Sequence, residues 1–324
     1  MAGRRVPTMR GWTAAPTSSV ETMISHESQT RPRADALRLV TASSLHPDEL
    51  VRVFNLAFSD YLVPMQMDHA AMAEHIANND IDLECCRVAL DVEPVGFTLV
   101  ARRGSEAWIG GMGTSPAYRR IGLGARTLTA AIDAAAAAGA DTVWLEVLDG
   151  NAPAVALYEQ LGFERVRDLE IWSLGPDPGR EPVEHRALDV DAAHAWIAGH
   201  RSGREPWQRA DASIVRMRER GTPLVGVGVQ RGDRLAGAAI CLRDEVTVTV
   251  LQIAAVDRAA ARDLVLAAAG DVTLRLANVP SDDVFSGVLR RLGAGMTVAQ
   301  HEMRLRVSAE PPAEPRSVAA AARR

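Results

Sequence analysis

The run Arg119-Arg120-Ile121-Gly122-Leu123-Gly124-Ala125 stands between an apolar, strand-like stretch ending near Thr114 and a long Ala-rich stretch of helical composition. A turn at a helix N-terminus aims unpaired backbone N–H groups at one point. Glycines there let a diphosphate come close to the chain, so the spacing suits an anion. Arg119 or Arg120 would add a charge-assisted contact. Taken alone, the segment reads as well as an ordinary glycine-rich turn with solvated arginines.

A second constellation follows the apolar strand Val143-Trp144-Leu145-Glu146-Val147: Asn151-x-x-Ala154-x-x-Leu157-Tyr158-Glu159-x-x-Gly162-Phe163. In this order the two segments resemble the GCN5-related N-acetyltransferase (GNAT) superfamily. Its signature is Arg/Gln-x-x-Gly-x-Gly/Ala before a helix, then a strand, Asn, a helix and Tyr near Gly-Phe. The resemblance covers residues 37 to 174, with Arg119-x-x-Gly122-x-Gly124 as the first part.

The resemblance implies acetyl-CoA as co-substrate and a primary amine as acceptor. Met112, Gly113 and Thr114 would pair with the pantetheine arm. Arg119, Arg120, Gly122, Leu123, Gly124 and Ala125 would cradle the diphosphate, and Asn151 would reach the acyl end. Tyr158 would be the general acid for the CoA thiolate, its alternative being a core aromatic. Direct attack by the neutral amine would be accelerated mainly by positioning, with backbone N–H support for the oxyanion. Glu146 is the best-placed carboxylate for a general base; Asp60, Glu106 or a water chain are the other choices. In the loop 58–65, Asp60 and Tyr61 are candidate acceptor contacts, Asp60 as an ammonium anchor or as part of a packed connector. The acceptor is expected to be a small molecule or a peptide, and a homodimer is the assembly considered. A non-catalytic acyl-CoA-binding module with the same fold is the competing reading.

These residues need elements to hold them. Helical spacing of Leu50, Val53, Phe54 and Ala57, after His46-Pro47-Asp48-Glu49, predicts one helix, and Asp68 to Asn78 a second. Strands are expected at 37–41, 85–90, 95–101, 107–114, 142–147 and 163–174, with helices at 122–138 and 152–161. The order then repeats after the Gly-Pro-Asp-Pro-Gly-Arg-Glu-Pro run at 175–182. Leu161-Gly162 is echoed by Leu292-Gly293, and Leu145 by Leu276, at a shift of about 131 residues. The predicted fold class is mixed α/β: two tandem GNAT-like domains, each a twisted, mostly antiparallel sheet with flanking helices. The expected organisation is a disordered leader (1–34), a catalytic domain (35–175), a linker (176–182), a degenerate copy (183–308) and a disordered tail (309–324). The second half has Val256-Asp257-Arg258-Ala259 where the cradle should be and Leu289 at the Tyr158 position, so it is read as degenerate. It would serve dimerisation, stability or the substrate wall. A tandem chain with one working copy also resembles mycothiol synthase, with the halves' roles reversed, so that substrate does not carry over.

Composition sets the outer limits. The chain has 324 residues, 47% hydrophobic and 24% charged, which suits two packed cores. A net charge of −5 gives no general attraction to nucleic acid or an anionic membrane. All 36 basic residues are Arg, which excludes a catalytic lysine. Cys85, Cys86 and Cys241 do not form a disulfide framework, and no His or Cys spacing suggests a metal. With no long apolar run or secretory signal the expected location is the cytoplasm, and Met23 is a candidate translation start.

Overall fold

The computed structural model describes residues 33–307. The alternative start at Met23 and nearly all of the expected leader and tail lie outside the described residues. At the edge of the leader, Ala34–Ala36 form a short 3-10 turn whose Ala34 carbonyl accepts a hydrogen bond from Arg126.

The first half runs β1 (Arg38–Thr41), α1 (Pro47–Ala57), α2 (His69–Asn79), β2 (Arg87–Leu90), β3 (Pro94–Arg103), β4 (Glu106–Thr114), α3 (Leu123–Ala137), β5 (Thr142–Leu148), α4 (Ala152–Gln160) and β6 (Glu164–Leu174). Local signals account for most of these boundaries. His46 caps α1 in a reciprocal box with Glu49, Asp68 caps α2, and Asn151 caps α4. Gly139 and Gly162 take positive φ just beyond α3 and α4, where glycine carries no side-chain penalty. The α1 face predicted from spacing, Leu50, Val53, Phe54 and Ala57, is buried against the sheet.

The second half repeats the order: β7 (Arg186–Leu188), α5 (Val190–His200), α6 (Asp211–Glu219), β8 (Leu224–Arg231), β9 (Arg234–Arg243), β10 (Thr247–Ala255), α7 (Arg258–Ala269), β11 (Thr273–Pro280), α8 (Val284–Arg291) and β12 (Gly295–Arg306). No helix or strand lies between Leu174 and Arg186, so the irregular segment extends past the expected 182.

The halves do not carry separate sheets. All strands form one 12-stranded sheet in the order β1-β2-β3-β4-β5-β12-β6-β11-β10-β9-β8-β7. β12, the last strand of the second half, lies between β5 and β6 and is antiparallel to both. β6, the last strand of the first half, in turn pairs antiparallel with β11. Each half therefore lends its final strand to the other. The cores follow suit: the first contains Met303 and Trp207, and the second contains Trp172 and Leu174.

One irregularity shapes the first half. β4 pairs in parallel with β5 only from Glu106↔Thr142 to Trp108↔Trp144, and the strands then part. Gly110 sits at a β-bulge opposite Leu99 and Val100, where a Cβ would lie 2.7 Å from both Ile81 and Trp108. The result is a wedge between the second halves of β4 and β5.

Candidate active site

The wedge gathers most of the residues named from the sequence. On its β4 side are Met112, Gly113 and Thr114, paired outward to β3 through Thr98, Phe97 and Gly96. Gly113 is where α1 comes close: a Cβ there would lie 2.7 Å from the Ala57 Cβ. At the far end the chain turns into α3 through Arg120 (φ 65°) and Gly122 (φ 85°), both left-handed. Gly122 is the N-cap and offers no side chain. Among the described residues, the backbone N–H groups of Arg120, Ile121, Gly122, Leu123, Gly124 and Ala125 donate to no protein acceptor, the first helical bond being Arg126 N–H to the Gly122 carbonyl. Leu123 points its side chain into the core with Leu37, Ala89 and Val95, leaving only its backbone for a ligand. A Cβ on Gly124 would sit 3.5 Å from Met112 and 3.7 Å from Leu157 and Thr114, so this glycine floors the groove between β4 and α4. Partial positive charge collects at such a turn, and the residues fit a diphosphate.

Arg119 does something other than cradle. Its Nε donates to the Thr114 carbonyl at 3.0 Å, Nη2 to the Ala57 carbonyl at 3.0 Å, and the two Nη atoms to Asp60 at 2.8 and 2.6 Å. That hydrogen bonding holds the Asp60 carboxyl below the usual carboxylate range. Asp60, considered as an ammonium anchor, is thus occupied by Arg119, and the pair braces loop 58–65 against the end of β4. Arg120 is exposed at the turn.

On the β5 and α4 side, Asn151 accepts from the Ala154 N–H and donates Nδ2 to the Tyr61 hydroxyl at 3.3 Å. Tyr158 is 5% exposed, and its hydroxyl makes no hydrogen bond with another described residue. Burial, helped by Tyr61 beside it, pushes its pKa above that of an ordinary phenol, so it keeps its proton.

Glu146 faces the other side of the sheet, toward α1 and α2. It is partly buried; Oε2 accepts from Trp108 Nε1 at 2.7 Å, while Oε1 is shut from solvent without a hydrogen-bond partner. Burial pushes its pKa up to about 7, in the range of a proton acceptor at neutral pH. Glu106 instead accepts from Trp144 Nε1 at 2.9 Å. Sequence reasoning missed the company Glu146 keeps: Trp108, Trp207 stacked on Trp108 with ring centroids 6.0 Å apart, and His75, which burial holds neutral with a pKa of about 4. No local pattern marks these residues, since they come from β4, the second half and α2.

The second half has the same wedge and fills it. β10 and β11 pair in parallel only from Thr247↔Thr273 to Val250↔Leu276. Beyond that point Arg209 Nη1 donates to the Ala277 and Asn278 carbonyls at 3.1 and 3.2 Å, and Gln252 donates to the Arg209 carbonyl at 2.6 Å. The α7 N-terminus is capped by Asp257, whose carboxylate accepts from the Ala260 N–H at 2.7 Å. A carboxylate there repels a phosphate and takes up a donor that would bind it. Leu289, at the Tyr158 position, is fully buried.

Cys85, Cys86 and Cys241 are buried free thiols that burial pushes up to about 11, 12 and 12, so they are packing residues. Among the described residues no His, Cys, Asp or Glu cluster could hold a metal, and no helix is long and apolar enough to cross a membrane.

Comparison with known proteins agrees with this fold. Residues 50–163 match the Acetyltransferase (GNAT) family. Over 85 residues the chain is 47% identical to the [Ribosomal protein bS18]-alanine N-acetyltransferase of Escherichia coli (strain K12), covering 26% of this chain and 57% of that protein. It is 30% identical over 135 residues to the mycothiol acetyltransferase of Clavibacter michiganensis subsp. michiganensis, 41% of this chain and 44% of that one. The chain thus matches only about half the length of these relatives. Among solved structures, a GCN5-related N-acetyltransferase from Sphaerobacter thermophilus superposes with a TM-score of 0.65 at 16% identity, covering 86% of this chain and 97% of that one. A tandem GNAT protein from the clavulanic acid biosynthesis pathway superposes with a TM-score of 0.60 at 14% identity, covering 85% and 99%. Residues 50–163 thus match the GNAT acetyltransferase family, and over most of its length the chain shares the fold of a tandem GNAT protein.

Proposed function

We propose that the chain is an N-acetyltransferase that moves an acetyl or short acyl group from acyl-CoA to a primary amine, using the first-half wedge alone. The observation that carries this reading is the run of N–H groups from Arg120 to Ala125, unpartnered among the described residues, at the mouth of a wedge that also holds Tyr158, whose hydroxyl bonds to no other described residue. Acetyl-CoA supplies the activated thioester. The α3 turn binds its diphosphate, and the parted edge of β4 at Met112 to Thr114 lines its pantetheine arm. Asn151 orients Tyr61 and the acyl end. Glu146, from the opposite face, takes the proton of the incoming ammonium. Tyr158, kept protonated by burial, gives its proton to the departing thiolate. The amine forms the new C–N bond as the C–S bond breaks, and the second proton lost by the nitrogen restores Tyr158, so the amide and free CoA are the products and one proton is released through Glu146.

Relatives named for acetylating a protein alanine and for mycothiol acetylation make a peptide N-terminus and a small-molecule amine the first acceptors to try. Loop 58–65, with Tyr61 at the site and Leu62 exposed beside Gly150, suits a partly apolar acceptor. The buried free thiols favour a reducing compartment, in keeping with the cytoplasm.

Calorimetry with acetyl-CoA tests the site. Wild type should bind and Gly124→Trp, whose indole fills the groove against Met112 and Leu157, should not. Failure of wild type to bind would remove the reading. Tyr158→Phe should keep binding and lose about 100-fold or more in kcat. Binding with no CoA thiol released across an amine panel would instead favour the non-catalytic module.

A further inference from the structure

The strand exchange sets a second-half residue against Glu146. β12 lies beside β5 with Glu302 in direct register with Glu146, and beside β6 with Glu302 in register with Arg167. Glu146, Glu302 and Arg167 therefore form one row across three strands. Glu302 is 1% exposed, and its two oxygens are taken by Arg167 Nε at 2.7 Å and by Arg204. Arg204, itself exposed, lies over the Trp144 ring at 3.8 Å and closes the row from solvent. Like charges directly opposite on neighbouring strands repel. Here one carboxyl receives both guanidinium groups and the other receives a single indole N–H.

We propose that Glu302, clamped by Arg167 and Arg204, is a positioning residue for Glu146, so that the catalytically degenerate half tunes the proton chemistry of the working half. The inference rests on Glu146 as the proton acceptor of the proposed reaction. The charged and titratable groups around Glu146 come from every neighbouring element: Glu106 on β4, His75 on α2, Arg167 on β6, Glu302 and Arg304 on β12, and Arg204 in the segment before Trp207. His75 is neutral, Glu106 is engaged by Trp144, and Arg304 lies against Trp144 and Glu164. Glu302, which adds to burial in raising the Glu146 pKa, and the two arginines on it, which lower it, are left as the charges that bear on Glu146.

Trp108 offers a direct reporter, because its indole N–H donates to Glu146 Oε2 at 2.7 Å. Its nitrogen-15 signal, assigned with Trp108→Phe, is followed against pH in the full chain with neither acetyl-CoA nor acceptor present. Wild type should titrate with a midpoint at about 7. Glu302→Gln should lower that midpoint by about one unit, by removing a negative charge and releasing two cations. Arg204→Gln should raise it, and as an exposed substitution it reports even if Glu302→Gln does not fold. The acid limb of the kcat profile, measured with acetyl-CoA and an alanine-terminated peptide, should move in the same two directions. A purely structural role would lower activity without moving either midpoint. Unmoved midpoints, or shifts of the same sign in both variants, overturn the inference. Opposite shifts in a protein whose Glu146→Gln variant turns over normally would overturn the base assignment and leave the charge coupling standing.

Discussion

Glu146 combines two features that favour proton transfer over rigidity: a raised pKa and a carboxylate oxygen with nothing bonded to it. In the unfolded chain it ionises in the ordinary glutamate range, whereas in the fold it holds its proton until about pH 7. The folded state therefore binds more protons between those values, and Glu146 makes the protein progressively less stable as pH rises through that window. With Glu146 as the proposed base, activity should have the opposite trend, because the base is available only above its pKa. Glu146→Gln should flatten the acid limb of the kcat profile and lower kcat at pH 8 by about 100-fold. It should also raise the melting temperature at pH 8 relative to wild type while leaving it nearly unchanged at pH 5. A melting temperature that falls at both pH values would mean the carboxylate is structural. Tyr158 is the complementary case, since burial preserves the proton it would give as the proposed acid.

The wedge depends on how closely α1, β4 and α3 approach one another. Gly113 lets α1 lie on β4 with Ala57 in contact, and Arg119 then ties the Ala57 and Thr114 carbonyls to Asp60. Gly113→Ala would put a methyl group 2.7 Å from the Ala57 Cβ and 3.2 Å from Phe97, with the helix backbone behind. The expected cost is about 1–3 kcal/mol of stability, read from urea unfolding, with weakened acetyl-CoA binding as β4 shifts. An unchanged midpoint of unfolding would show that α1 can retreat freely. The contrast between the two α/β turns is as informative. Gly122 leaves the α3 N–H groups open, whereas Asp257 caps α7 and Arg209 and Gln252 lace the second wedge shut. The same architecture therefore has one helix N-terminus left open and one closed by its own side chains.

Reciprocal strand exchange makes the two halves one folding unit. Without β12, β5 and β6 are not neighbours, and the first core loses Met303 and Trp207. Trp207 also donates to the Asn79 carbonyl at 2.9 Å, and Arg103 reaches the Trp207 carbonyl at 3.0 Å and Ser213 at 2.8 Å. Residues 33–182 expressed alone should be aggregated or associated through the open strand edges, as size-exclusion chromatography would show. Adding residues 183–307 as a separate chain should restore a soluble pair. A monomeric, acetyl-CoA-binding first half would show that the exchange is dispensable.

Much of this organisation was legible in the chain. The helices announced themselves through apolar spacing and caps, as with His46 to Glu49 before α1 and Asn151 before α4. The turn at Arg119 to Gly124 and the Tyr158 segment carried the site because the chemistry needs particular residue types at short, local spacings. The degenerate second cradle was likewise visible in its missing glycines. Pairing across the sheet was not legible, because alternating apolar strands such as β5, β6 and β12 specify which face they bury but not which neighbour they join. For that reason the chain read as two sheets, Asp60 as either an anchor or part of a connector, and Glu146 as a carboxylate with no stated partners. Long-range contacts placed Arg119 on Asp60, Trp108 on Glu146 and Glu302 across from it. Residue types and local order determined a tandem GNAT-like fold with one open turn at a helix N-terminus. The burial and charge that set each group's protonation came from strands and loops far apart in sequence, and those exist only once the halves have exchanged their last strands.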